Sequence, residues 1–196
     1  MVCKLYLYLF SFDQPVRNFD CPSGIELSYL NTINKTKILS LDFADLISME
    51  TVLKRLSESE ECYLARQQNQ VLSYCWFSTQ AVYVKEIGKY FQIRKGEIYL
   101  YDAATRKDWR GHGLYPLLLT EILRMVARRN LRKVYIFTDS MNIASQKGIK
   151  KAGFRHFQTI TSINLFGQYL LWHGKIKEKD IGKLTFLKTG NSRVSC

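Results

Sequence analysis

Between a strand-like run, EIYLYDAAT (97–105), and a helical run, LYPLLLTEILRMVARRN (114–130), the chain carries the polar loop RKDWRGHG, with Gly111 and Gly113 beside Arg110. A loop feeding a helix N-terminus presents unpaired backbone N–H groups and the positive end of the helix dipole, which is the chemistry of an anion site. The two glycines remove side chains so that phosphate oxygens can approach the backbone, and Arg110 supplies charge next to them. A pyrophosphate fits this description. Glycine-containing strand-to-helix turns also serve structure alone. Two nucleotide signatures can be tested on the string: GxxxxGK[ST] is absent, and GxGxxG would place its third glycine at Pro116, with Asp139 too late for the ribose acid.

The elements that must hold this loop follow from periodicity. Leu118, Leu119, Ile122, Leu123 and Val126 recur at helical spacing, Pro116 suits the first turn, and Asn130 can end the helix in a left-handed conformation. Leu131–Thr138 is the next strand, so the unit is strand–loop–helix–strand with parallel strands and a right-handed crossover. A short helix over Asn142–Lys151 stops at Gly153, and Phe154 opens a final pair of strands through Leu171. Upstream, Lys4–Phe12 and Ile25–Leu30 are strand-like and Ala44–Leu56 is helical. Glu61–Arg66 and Val71–Phe77 flank a four-residue hairpin turn, Gln67 to Gln70. Residues 79–96 are ambiguous.

Composition bounds the class. With 196 residues, 46% hydrophobic and 23% charged, the chain is expected to fold as one soluble domain, and no apolar run reaches the roughly 18 residues of a membrane span. Lys and Arg number 29 against 17 Asp and Glu, a net charge of +12, and residues 103–156 alone hold 12 basic and 3 acidic groups. That excess implies an anionic ligand near the loop. The basic cluster Arg128, Arg129, Arg132 and Lys133 also suits a helix C-terminus as a solvated face. The cysteines, Cys3, Cys21, Cys62, Cys75 and Cys196, form no CxxC pair and have no histidine at zinc spacing, which predicts reduced thiols, a cytoplasmic location, no catalytic cysteine and no metal.

WRGHGLYPLLL resembles motif A of the GNAT superfamily of acyl-CoA-dependent N-acyltransferases, [QR]xxGx[GA], with Arg110, Gly113 and Tyr115 on its defining positions. Tyr115 departs from the usual Gly or Ala, where a tyrosine would crowd a pyrophosphate unless it points away. NIASQKGIKKAGF is similar to a second element of the family, NxxSxxxxxKxGF, with Asn142, Ser145, Lys151, Gly153 and Phe154 matched. The resemblance implies an α/β fold: one GNAT-type domain over 1–196, a mixed twisted sheet with helices on both faces, a splayed pair of parallel central strands, and residues 97–156 as the acyl-CoA-binding core. It further implies that the backbone of Arg110, Gly111, His112, Gly113, Leu114 and Tyr115 holds the coenzyme A pyrophosphate. Ala103, Ala104 and Thr105 would pair with the pantetheine, and Asn142 and Ser145 would contact its arm or the sulfur.

An alkylamine acceptor is only about one part in a thousand neutral at pH 7, so a base must take its proton. Glu97 and Asp102 are the strand carboxylates; Glu97 stands 13 residues before Arg110, similar to the base of the histone-acetylating branch, and ranks first. Many members carry a tyrosine as general acid where this chain has Ile149; Tyr99 or Tyr101 could serve from the strand, or the thiolate could be protonated by water. The expected activity is transfer of an acetyl or similar acyl group from acetyl-CoA to a primary amine, without metal. The amine class is open, from a small amine or an aminosugar to a protein amine or an aminoacyl-tRNA. Nucleic acid is otherwise not an expected partner, nor is a membrane. The rival is a catalytically degenerate acyl-CoA-binding module or a basic nucleic-acid binder.

Overall fold

A computed structural model describes residues 2–34, 38–176 and 184–188. Its strands are β1 (Val2–Ser11), β2 (Glu26–Leu30), β3 (Glu61–Gln67), β4 (Gln70–Ser78), β5 (Val82–Val84), β6 (Lys89–Phe91), β7 (Glu97–Thr105), β8 (Lys133–Asp139), β9 (Arg155–Leu165), β10 (Gln168–His173) and β11 (Phe186–Lys188). The helices are α1 (Met49–Ser57), α2 (Leu114–Arg128) and α3 (Ile143–Lys151). Eight strands form one sheet in the order β10-β9-β1-β8-β7-β4-β3-β2, and β11-β6-β5 form a second. Among the described strands only β7 and β8 pair in parallel, joined by α2 as the crossover; the other strand pairings are antiparallel.

The first strand is the widest departure from a reading in chain order. β1 is inserted between β8 and β9, and both its faces are covered, which is why LYLYLF reads as an unbroken apolar run. Leu5, Leu7 and Leu9 pack with Ile87, Phe91, Tyr135 and Phe157 on the side of the small sheet; Tyr8 and Phe10 pack with Leu119, Ile122, Ile149 and Phe154 on the side of α2 and α3. α1 packs through Val52 and Leu56 on Tyr74 and Trp76 of β4, whose neighbours Cys75 and Phe77 face α2, so helices do cover both faces. The ambiguous stretch 79–96 supplies β5, a 3-10 turn and β6.

Several local expectations shift. The helix expected from Ala44 begins at Met49, capped by the Ser48 side chain, which accepts from the Thr51 N–H at 3.2 Å. The hairpin turn is two residues, not four: Gln67 pairs with Gln70, and Gln68 takes φ 53°. Asp42 holds that tip, its N–H donating to the Asn69 carbonyl and its own carbonyl accepting from Val71, both at 2.8 Å. Asn130 does end α2 at φ 56°, and Gly153 ends α3 at φ 101°, where Phe10 crowds the space a side chain would need.

Candidate active site

β7 and β8 pair only from Glu97↔Lys133 to Leu100↔Ile136. Past that point β7 follows β4 as far as Thr105↔Ser73, while β8 follows β1 as far as Asp139↔Leu5. The strands part because β7 carries a bulge: Trp76 faces Tyr101 and Cys75 faces Ala103, leaving Asp102 as the extra residue at φ 40°. The gap leaves Ala103, Ala104 and Thr105 without a strand on the β8 side, and Thr105 leads directly into the glycine loop.

That loop is an open, glycine-lined turn. Gly111 and Gly113 take φ 86° and 79°, and a Cβ added at either would meet no atom within 4 Å, so the space above them is open. Gly113 is the N-cap of α2 and no side chain caps the helix, which leaves its first N–H groups for a ligand. Arg110 Nε donates to the Thr105 carbonyl at 3.3 Å, and His112 is exposed beside Trp109. Tyr115 does not crowd the turn: its ring lies against Gly148 of α3 and its hydroxyl is 3.4 Å from Ser145 Oγ. Asn142 is the N-cap of α3, its Oδ1 accepting from the Ser145 N–H at 3.0 Å, so its side-chain oxygen already has a structural role. Ile149 is fully buried in the core.

A cavity of about 690 Å³ opens at the gap, between α1, the small sheet and the parting ends of β7 and β8. Its walls include Tyr99, Tyr101, Asp102, Phe137 and Asp139 from the two strands, with Arg55 and Glu60 from the α1 side. Arg55 donates to Asp102 at 2.5 Å, lies 3.8 Å from Glu60 Oε2, and stacks over Trp76 and Tyr101 with its guanidinium 5.1 and 5.5 Å from their ring centres. Tyr74 also donates to Asp102, at 3.4 Å. Glu60 Oε2 and the Tyr101 hydroxyl are both buried, and the hydroxyl faces the carboxylate. Burial raises the Glu60 carboxyl above the usual range, against the opposing pull of Tyr101 and Arg55.

The arrangement brings together the loop, Ala103 to Thr105, Asp102, Asn142 and Ser145. It does not bring Glu97 to them. Glu97 begins β7 in the closed part of the pair, five residues and about 16 Å along the strand from Asp102. Its carboxylate accepts from the Tyr135 hydroxyl at 3.2 Å and the Arg94 N–H at 3.1 Å, and it does not line the cavity. Glu60 is the residue the sequence did not single out. It lies just ahead of β3, with no motif around it in the sequence.

The Acetyltransferase (GNAT) family model matches residues 33–154, well over half of the chain. The chain belongs to the GNAT acetyltransferase family. The fold of this GNAT chain is shared with a GCN5-related N-acetyltransferase from Sphaerobacter thermophilus (TM-score 0.58, 17% identity, 90% of this chain and 53% of that one). It is shared too with a tandem GNAT protein from the clavulanic acid biosynthesis pathway (0.57, 16%, 88% and 53%) and with a GNAT-family acetyltransferase from Colwellia psychrerythraea (0.56, 18%, 82% and 56%). The chain spans about half the length of these structures. No curated protein matches it. Among the described residues there is no group of His, Cys, Asp and Glu able to hold a metal ion, and no helix is long and apolar enough to cross a membrane.

Proposed function

We infer that this GNAT chain transfers an acetyl group from acetyl-CoA to a primary amine. The observation that carries the reading is the junction of three parts at one gap: an open glycine cradle at an uncapped helix start, a strand edge left free by the bulge at Asp102, and a cavity holding a buried carboxylate. The first two fit the donor. Backbone N–H groups at Gly111, Gly113 and Leu114 suit its pyrophosphate, and Ala103 to Thr105 suit the amides of its pantetheine as a substitute strand.

The donor supplies an activated thioester; the chain supplies position and a proton acceptor. Glu60 takes the proton from the incoming ammonium, a role that needs a carboxylate more basic than usual, and burial provides that. Asp102 holds Arg55 at the gap, which keeps the guanidinium next to Glu60. The amine nitrogen then bonds to the acetyl carbon, the carbon–sulfur bond breaks, and coenzyme A leaves as its thiol. Binding acetyl-CoA and following thiol release with a panel of amines tests the reading. Amine-dependent release supports it; binding with no release from any amine favours the degenerate module.

A further inference from the structure

The cavity at the gap is acidic in a chain whose net charge is +12. Five carboxylates line it, Glu58, Glu60, Glu86, Asp102 and Asp139, against Lys54, Arg55 and Lys85. Arg55 is already engaged by Asp102 and Glu60, and Asp139 accepts from the Met141 N–H at 2.6 Å. Glu58 and Glu86 are exposed at the rim, and neither forms an ion pair with a described residue. Their fields reach inward, Glu58 acting on Glu60 and Glu86 acting on Tyr99 and Cys3.

A second feature of the walls points to a ligand. Tyr99 is only 5% exposed, lines the cavity, and its hydroxyl bonds to no described residue, while the Tyr101 hydroxyl beside it is buried against Glu60. The two rings stack 5.8 Å apart, with Phe137 packed on Tyr99 at 4.7 Å. Stacked aromatic rings with an unpartnered hydroxyl at Tyr99, edged by unpaired carboxylates, suit a cation with N–H donors and an alkyl body. A volume of about 690 Å³ is that of a small-molecule site, not of a groove for a long chain.

We propose that the acceptor is a small amine bearing a second cationic group, with the reacting nitrogen at Glu60 and the other ammonium held at the rim by Glu58 and Glu86. This rests on the acetyl-transfer reading above. The second charge gains its binding energy from carboxylates that are unpaired in the free protein, so no existing ion pair is broken to admit it. Screening makes the preference salt-dependent, since both carboxylates are at the surface.

The test compares 1,6-diaminohexane with 1-aminohexane, matched in length and differing in one ammonium, by thiol release from acetyl-CoA. The expected result is a kcat/KM about tenfold higher for the diamine, the scale of one charge-assisted hydrogen bond, shrinking as potassium chloride is raised. In the double variant Glu58→Gln/Glu86→Gln the ratio of the two values falls toward one; both positions are exposed, so the fold is retained. Equal values in the parent protein, or a preference that survives in the double variant, overturn the proposal while leaving acetyl transfer standing. Binding of acetyl-CoA with no release from either amine strikes the underlying reading, and the proposal with it.

Discussion

The Tyr115 ring lies against Gly148, so closely that a Cβ on Gly148 would stand 2.5 Å from Cδ1 of the ring. The tyrosine that follows the glycine turn is thereby stored between two helices, and the turn stays open. Gly148→Ala forces the ring or α3 to move, a cost of about 1–3 kcal/mol by the usual penalty of overpacking. At roughly 2–4 °C per kcal/mol for a chain of this size, thermal unfolding should show it directly. Tyr115→Ala in the same background should recover much of the loss, because the clash partner is gone.

Gly113→Ala tests the cradle. The added methyl meets open space, but φ 79° disfavours any side chain, by about 1–2 kcal/mol. Calorimetry should show a fold retained with a modestly lower Tm and acetyl-CoA affinity reduced at least tenfold. Affinity equal to the parent's would mean that the anion binds elsewhere.

Asn142→Ala distinguishes a cap from a ligand contact. Loss of the bond to the Ser145 N–H should lower stability by about 1 kcal/mol, with or without donor present. An effect seen only on acetyl-CoA affinity, with Tm unchanged, would return Asn142 to the pantetheine.

For Glu60 the sign of the pH effect follows from burial. Its folded-state pKa lies above the unfolded value, so its contribution to stability is fully present below about pH 4 and is lost as pH rises through the raised value. Glu60→Gln should therefore raise Tm at neutral pH, with the difference from the parent vanishing in acid. The same variant should lose turnover and the acidic limb of the kcat/KM profile. Glu97→Gln should alter neither, its carboxylate being tied to Tyr135 and Arg94 outside the cavity.

What was legible in the sequence was local. Arg110, Gly111 and Gly113 announce the turn, the spacing of Leu118 to Val126 announces α2, and Asn130 and Gly153 mark where helices stop, because each signal is written in consecutive residues. The place of β1 between β8 and β9 was not legible, since antiparallel pairing over more than a hundred residues leaves no mark beyond an apolar run. The carboxylates at the gap were no more legible. Spacing along one strand favoured Glu97, but the bulge at Asp102 places the opening at the other end of β7, and the buried carboxylate there arrives from the end of α1. Glu60 looks solvated in sequence, and nothing there tells that Arg55 and Tyr101 lie against it.

The central claim, amine acetylation at the gap between β7 and β8, is met most directly by one measurement: thiol release from acetyl-CoA by the parent protein and by Glu60→Gln, with and without amine, across pH. The expected result is release that requires an amine, yields a product heavier by one acetyl group, and falls at least a hundredfold in the variant while acetyl-CoA binding persists, within the usual range for loss of a general base. Amine-dependent release at the parent rate in Glu60→Gln, with the parent's pH profile, would contradict the account.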